Sequence, residues 1–287
     1  MSILLTGGSG FVGSYFLNNS TLDLKSISLK SNRVENIDFK GITKIIHLAA
    51  LVHQMKGAPD EEYFKINKDL TFDLAVKAKS SGVKQFVFFS TVKVYGECTK
   101  KDQVITENSI CNPQDAYGKS KFEAENMLLK LQSEDFQVSI VRIPLVYGPN
   151  VKGNLINLIK LVEKSFFLPF GNIKNNRNLV FVGNILLFVE QILLQNKSGI
   201  FLVCDESSIS TTELVRLIAL KLNRKRFLIP IPSLFQRLLL FIYPKLGIRL
   251  FGDLRLDNSQ TRKELEIDSL FTINDGISKM LKKQMFS

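Results

Sequence analysis

Tyr117 and Lys121 stand four residues apart in the string Tyr117-Gly118-Lys119-Ser120-Lys121. On a helix that spacing puts both side chains on one face. A free phenol titrates near pH ~10, and a neighbouring ammonium favours the phenolate and lowers that value. A tyrosine so placed can pass a proton to or from a carbinol oxygen. Just upstream, Ser90 and Thr91 offer two hydroxyls at the end of an apolar run, Gln85–Ser90. A Tyr-x-x-x-Lys pair alone is common on helix surfaces, so its weight here rests on that neighbourhood.

The stretch Thr6–Gly13 carries a second kind of chemistry. Gly8, Gly10 and Gly13 satisfy G-x-G-x-x-G, and Gly7, Gly10 and Gly13 satisfy G-x-x-G-x-x-G. Glycines permit the tight turn and let the backbone approach a pyrophosphate seated on a helix N-terminus. A glycine pattern by itself is weak evidence. Here an apolar strand pattern, Ile3–Thr6, precedes it and a helix pattern, Phe11–Asn18, follows. That context assigns Gly7, Gly10, Phe11, Val12 and Gly13 to a dinucleotide site.

An NAD site usually has an acid at the end of the second strand, about 20 residues further on, for the ribose hydroxyls. The corresponding stretch reads Leu29-Lys30-Ser31-Asn32-Arg33, with no acid. Lys30 and Arg33, with the Ser31 hydroxyl, suit a 2′-phosphate. NADP(H) is therefore favoured over NAD(H). The plainer alternative is a solvated turn with incidental basic residues.

These residues need a scaffold. Strand patterns at Ile3–Thr6, Ser26–Leu29, Lys44–Leu48, Gln85–Ser90 and Val138–Ile143 alternate with helical patterns at Phe11–Asn18, Lys65–Ser80 and Lys119–Gln132. Such alternation predicts an α/β fold, a Rossmann-type doubly wound parallel sheet. Further on, Asn154–Lys164, Asn184–Leu194 and Thr211–Leu222 read as helices and Gly199–Val203 as a strand, with Ser210 or Thr211 as a helix cap. The expected division is a dinucleotide-binding domain over 1–150 and a smaller C-terminal substrate-binding lobe over 151–287. Part of 179–204 is expected to return to the first domain.

Composition narrows the class. The chain has 287 residues, 45% hydrophobic and 23% charged, which is the balance of an ordinary globular protein and excludes disorder as the default. The formal net charge is +11. A basic surface attracts nucleic acid, anionic lipid or a phosphorylated substrate. The cations are scattered, so a generally basic face is the plainer reading and no nucleic-acid partner is expected. Cys98, Cys111 and Cys204 are odd in number and widely spaced, and His47 and His53 lack an acidic or cysteine cluster. No disulfide framework and no metal site are expected, which fits a cytoplasmic protein. No signal peptide pattern opens the chain. The stretch Ile229–Leu254 is apolar but interrupted by Pro230, Pro232, Arg237 and Pro244. It is too broken to span a bilayer. A pair of amphipathic helices covering a substrate cleft is expected there, with peripheral contact to a membrane surface as the alternative.

The motifs together resemble the extended short-chain dehydrogenase/reductase superfamily, also labelled NAD-dependent epimerase/dehydratase. The matching pieces are Thr6–Gly13, His47-Leu48-Ala49-Ala50, Asn67, Ser90–Gly96, Tyr117–Lys121, Arg142–Pro149 and Arg177 with Leu179–Val182. The resemblance implies catalytic roles for Thr91, Tyr117 and Lys121. Tyr117 would be the acid/base, Thr91 would hydrogen-bond the sugar oxygen, and Lys121 would hold the nicotinamide ribose and tune Tyr117. Ala49 and Ala50 would line the cofactor and Pro144 would pack near the nicotinamide. Arg177 would pair with a substrate diphosphate, and Asn154 is a weaker substrate contact. The sequence departs from the pattern in three places. The span from Gly13 to His47 is short, the second-strand acid is missing (Asp38 reads as a surface residue), and Phe181 replaces a usual histidine.

The reaction class follows from the same comparison. Resembling 4,6-dehydratases keep an Asp-Glu pair after the threonine, whereas Val92 and Lys93 stand here. Dehydration is therefore not expected. Arg142–Pro149, Lys152, Asn154, Leu168–Gly171 and Ser210–Leu214 are similar to bacterial O-antigen reductases that form UDP-N-acetylquinovosamine. The expectation is reduction of the 4-keto group of a UDP-4-keto-6-deoxy-N-acetylhexosamine. A nucleotide-sugar 4-epimerase is the alternative, and a non-enzymatic cofactor sensor of the same fold is a third. Dimers are common among resembling enzymes, so a homodimer is one expectation.

Overall fold

The computed structural model describes residues 2–52 and 58–282; His53 lies outside them. The first half runs β1 (Ser2–Thr6), α1 (Phe11–Asn19), β2 (Leu24–Ile27), β3 (Ile42–His47) and α2 (Asp60–Phe64). A π-helical turn (Lys65–Asp69) joins α2 to α3 (Leu70–Ser80). Then come β4 (Gln85–Thr91), α4 (Ala116–Leu131) and β5 (Gln137–Ile143). The second half holds β6 (Val146–Tyr147), α5 (Asn154–Lys164), β7 (Phe167–Leu168), β8 (Val180–Phe181), α6 (Val182–Leu194) and β9 (Gly199–Leu202). It ends with α7 (Thr211–Lys221), β10 (Phe227–Leu228), α8 (Ser233–Ile242), α9 (Pro244–Phe251), α10 (Ser259–Glu264) and α11 (Ile273–Lys282).

Six strands pair in parallel in the order β2-β1-β3-β4-β5-β9. All seven residues of β4 are buried, as a central strand covered on both faces requires. Its side chains alternate between two cores. Phe86 and Phe88 pack with Leu74, Ala124 and Leu128 of α3 and α4. Val87 and Phe89 pack with Phe16 of α1 and Ile185 and Phe188 of α6. The period of two along the strand thus fixes which helices cover which face.

The short span between Gly13 and His47 has a topological cause. A full dinucleotide-binding sheet runs 3-2-1-4-5-6. Here β2 is the edge, and the chain crosses straight from it to the far side of β1 with only a 3-10 turn, Val34–Asn36, on the way. The outermost strand and its helix are missing. The reversal of strand order at β1 and β3 survives, and with it the crevice where such sheets bind ligands.

A separate core holds the second half together: Leu155, Ile159, Val162, Phe181, Val215, Ile218, Ile277 and Met280. Helix α7 starts as its sequence suggests. Ser210 caps it and forms a reciprocal capping box with Glu213. The expected helix at Lys65–Ser80 extends back to Asp60 and contains the π turn. The expected strand Ser26–Leu29 lies earlier, at Leu24–Ile27. The stretch Ile229–Leu254 does form two helices, α8 and α9. The expected core-facing role fails for α8, which has no buried residue.

Candidate active site

The glycine loop sits at the switch point. Gly7 adopts φ +76, and a Cβ there would lie 2.7 Å from the Ala49 nitrogen. A Cβ on Gly13 would lie 2.3 Å from the Gly7 carbonyl oxygen. Gly7 lets the first loop pack directly on the loop after β3, and Gly13 lets α1 close against the first loop. Helix α1 begins after Gly10 with no side-chain cap and no acid in its first turn. Its first N–H groups, at Phe11 and Val12, remain available to an anion. The chain thus fits the pyrophosphate of a dinucleotide here. The loop after β3 is tied down from both sides. The Ala49 N–H donates to Thr6 Oγ1 at 3.3 Å. Asn67 clamps Leu51, accepting from its N–H at 2.8 Å and donating to its carbonyl at 3.0 Å. Asn67 also donates to Ser120 Oγ at 3.2 Å, so the π turn joins the loop to helix α4.

Thr91 ends β4, and Asp115 caps α4 by accepting from the Gly118 N–H at 2.7 Å. The end of β4 and the start of α4 bring Thr91 and Tyr117 together, near enough for the Thr91 hydroxyl to act on the phenol. The Tyr63 ring meets the Tyr117 ring edge-on at 6.3 Å. Tyr117 does not behave as the sequence suggests. Its hydroxyl is pushed up to about 12, first by burial and then by the Asp115 carboxylate, with the Thr91 hydrogen bond pulling the other way. The expected lowering by Lys121 is not what this arrangement produces. The Lys121 amine turns to the Phe89 carbonyl at 2.8 Å and lies over the Phe88 ring at 4.3 Å. Burial lowers that amine to about 7, with Glu125 acting in the opposite sense.

His47 lies below this cluster. Its Nδ1 is 2.8 Å from Thr6 Oγ1 and its Nε2 is 2.9 Å from Thr71 Oγ1. Burial first, and then the Lys121 charge, lower it to about 3, so the ring is neutral. A folded value below the ordinary ~6.5 means the unfolded chain takes up a proton first as pH falls. The stabilisation is complete above pH ~6.5 and is lost through the window down to ~3. The stability advantage of the native chain over His47→Gln should therefore shrink by about 2 kcal/mol between pH ~7 and ~5. Denaturant titrations of both proteins at the two pH values measure it. A constant difference would mean that His47 titrates normally.

Other expected residues are spread along the crevice. Pro144 is buried just past the end of β5. Lys30 and Arg33 are exposed and line an open cleft of about 730 Å³, together with Ser31, Glu35 and Asp73. Asn154 is exposed at the start of α5. The guanidinium of Arg177 donates through Nη1 to the carbonyls of Ile248 and Gly252, at 3.2 and 2.9 Å. It thus braces the end of α9, close enough to Glu97 for their charges to interact.

Two features of the site were not read from the sequence. Lys93 bridges Asp115 at 2.5 Å and Glu97 at 2.7 Å. The signal for the first pair was the aspartate directly before Ala116-Tyr117, a helix-cap residue type. Beneath them lies a buried pair, Arg142 Nη2 to Glu125 Oε2 at 2.6 Å. Arg142 also donates to the Tyr95 hydroxyl at 2.7 Å. Among the described residues no cluster of three His, Cys, Asp or Glu could hold a metal.

The NAD dependent epimerase/dehydratase family matches residues 3–204. A UDP-glucose 4-epimerase of Vibrio cholerae is 33% identical across 96% of this chain and 93% of its own. An N-acetyl-alpha-D-glucosaminyl-diphospho-ditrans,octacis-undecaprenol 4-epimerase of Escherichia coli O157:H7 is 27% identical, covering 78% of this chain and 73% of its own. UDP-glucuronic acid 4-epimerase from Bacillus cereus, solved with NAD, superposes with a TM-score of 0.77 at 19% identity over 100% of both chains. RMD from Pseudomonas aeruginosa, solved with NADPH, gives 0.81 at 18% identity over 99% of both. The two structures speak to the fold alone.

Proposed function

Because the chain belongs to the NAD-dependent epimerase/dehydratase family and is an enzyme of that family, we propose that it reduces the 4-keto group of a nucleotide-activated deoxy sugar using NADPH. The substrate we infer is a UDP-4-keto-6-deoxy-N-acetylhexosamine, a precursor for surface polysaccharide. The observation that carries this reading is the acid-free end of β2. Lys30, Ser31 and Arg33 follow the strand there and face an open cleft. Glu35 and Asp73 line the same cleft, but neither stands at the strand end, where the ribose contact is made.

The nicotinamide, when bound, supplies the hydride. The chain's own residues handle the oxygen. Tyr117, held protonated by burial, donates its proton to the C4 oxygen as charge develops there. Thr91 hydrogen-bonds the same oxygen. Lys121, whose amine rests on the Phe89 carbonyl at the back of β4, holds the cofactor ribose once it turns from that carbonyl toward the crevice. Val92 and Lys93 stand where a dehydratase keeps its acids. Lys93 is committed to Asp115 and Glu97, which supports chemistry without loss of water. Asn154 and Arg177 contribute to the substrate side, where Arg177 pairs with the diphosphate.

A second reading, nucleotide-sugar 4-epimerase, is favoured by the relative that is 33% identical over nearly the whole chain. The two separate in one assay. Enzyme with the keto sugar and NADPH should consume NADPH and give one 4-hydroxy product. Interconversion of UDP-N-acetylglucosamine and its galacto epimer with catalytic NAD, and no NADPH consumed by the keto sugar, would replace reductase by epimerase. Cofactor choice is tested separately. Lys30→Ala with Arg33→Ala should weaken NADPH binding at least about tenfold, as loss of charge-assisted phosphate contacts does, and leave NADH binding unchanged. Tighter NADH binding by the native enzyme would remove the 2′-phosphate assignment.

A further inference from the structure

The outer helices of the second lobe carry an apolar surface that the described chain leaves open. Helix α8 has ten residues, seven of them Leu, Ile or Phe, and none is buried. Leu234 is 74% exposed, Phe235 60%, Leu238 48% and Phe241 86%, and the adjoining Ile242 and Tyr243 are 52% and 63% exposed. The spacing of Leu234, Leu238 and Phe241 makes one stripe along the helix. Its other side is held by α9. Gly247 lets the two helices touch, since a Cβ there would lie 2.8 Å from the Leu240 Cα. An isolated helix of this length is marginal in water, so an open apolar stripe on it needs a reason.

The charge around it is one-sided. From Leu214 to Gly252 the sequence contains eight Lys and Arg and no Asp or Glu, so this stretch alone carries +8 of the chain's net +11. Arg224 and Lys225 are exposed just before β10, and Arg237 is exposed on α8 itself. Apolar side chains flanked by cations are what an anionic bilayer surface selects. No helix among the described residues is long and apolar enough to cross a membrane, so the contact would be superficial. A second copy of the chain is the weaker match. Two such segments face to face would bring like charges together.

We propose that the α8–α9 pair docks the enzyme on an anionic lipid surface, with Leu234, Leu238 and Phe241 among the acyl chains and the flanking cations among the headgroups. Sedimentation with phosphatidylcholine vesicles, with and without phosphatidylglycerol, tests it. The native protein should bind the phosphatidylglycerol vesicles at least about tenfold more tightly, and salt should weaken that binding. Leu234→Asp with Phe241→Asp should abolish it without lowering the unfolding temperature, because both side chains are exposed. Arg237→Glu should weaken it and leave the fold unchanged. Folded native protein that binds neither vesicle would overturn the proposal. A dimer in solution that the double substitution dissociates, with no lipid binding, would overturn it in favour of a second copy.

Discussion

Tyr117→Phe is expected to lower turnover at least about 100-fold while cofactor affinity stays within error, the usual scale for removing a general acid. The change deletes one hydroxyl and keeps the ring against Tyr63. The lost group is the one that lies near the Thr91 hydroxyl and is held protonated by burial. Thr91 and the scaffold stay in place, so some activity should survive from positioning alone. Steady-state turnover and cofactor titration on the same preparation measure the two halves. Turnover near the native value would take the proton donor's role away from Tyr117.

Arg142→Leu is expected to cost about 3–5 kcal/mol of stability, because it leaves Glu125 as an uncompensated buried carboxylate. Arg142 and Glu125 are 4% and 1% exposed. Burial opposes the Arg142 charge, but the Glu125 hydrogen bonds and charge outweigh it and raise the guanidinium's pKa further. The same guanidinium donates to Tyr95, whose hydroxyl bonds the Glu107 carbonyl at 3.3 Å. Glu107 in turn accepts from Thr261 on α10. One buried network thus ties β5, α4 and the segment after Thr91 to α10. Replacing both partners, Arg142→Met with Glu125→Met, should recover more than half of the loss, since no charge is then stranded. Urea titrations give both numbers. A single-variant cost below about 1 kcal/mol would mean that water reaches the pair.

Much of this was legible from short-range patterns. Strand β4, the glycine loop and the capping box of α7 follow from apolar runs, glycine spacing and Ser/Glu spacing, all of which act over a few residues. So did the shortened crossover, because a missing strand leaves a residue count too small to hold it. What was not legible depended on contacts across the fold. The direction of the Lys121 amine is decided by the Phe89 carbonyl and the Phe88 ring, not by its distance in sequence from Tyr117. The environment of Tyr117 is set by Asp115 and by burial, so a rule built on a neighbouring lysine gave the wrong sign. The periodicity of α8 correctly announced an apolar stripe, but a stripe does not say what covers it. The π turn at Lys65–Asp69 has no local signature; it accompanies the Asn67 clamp on Leu51.

The trimmed crossover also changes how the molecule meets its neighbours. Removing an outer strand moves the raw margin of the sheet inward to β2, whose outward N–H and C=O groups would otherwise template a strand from another molecule. The margin left behind is only four residues long, Leu24 to Ile27, and its two middle residues, Lys25 and Ser26, are exposed. Such a short, cation-bearing rim gives an incoming strand too little ladder to grip. The same short crossover that leaves the crevice in place thus also leaves the sheet a margin poorly suited to pairing with another strand.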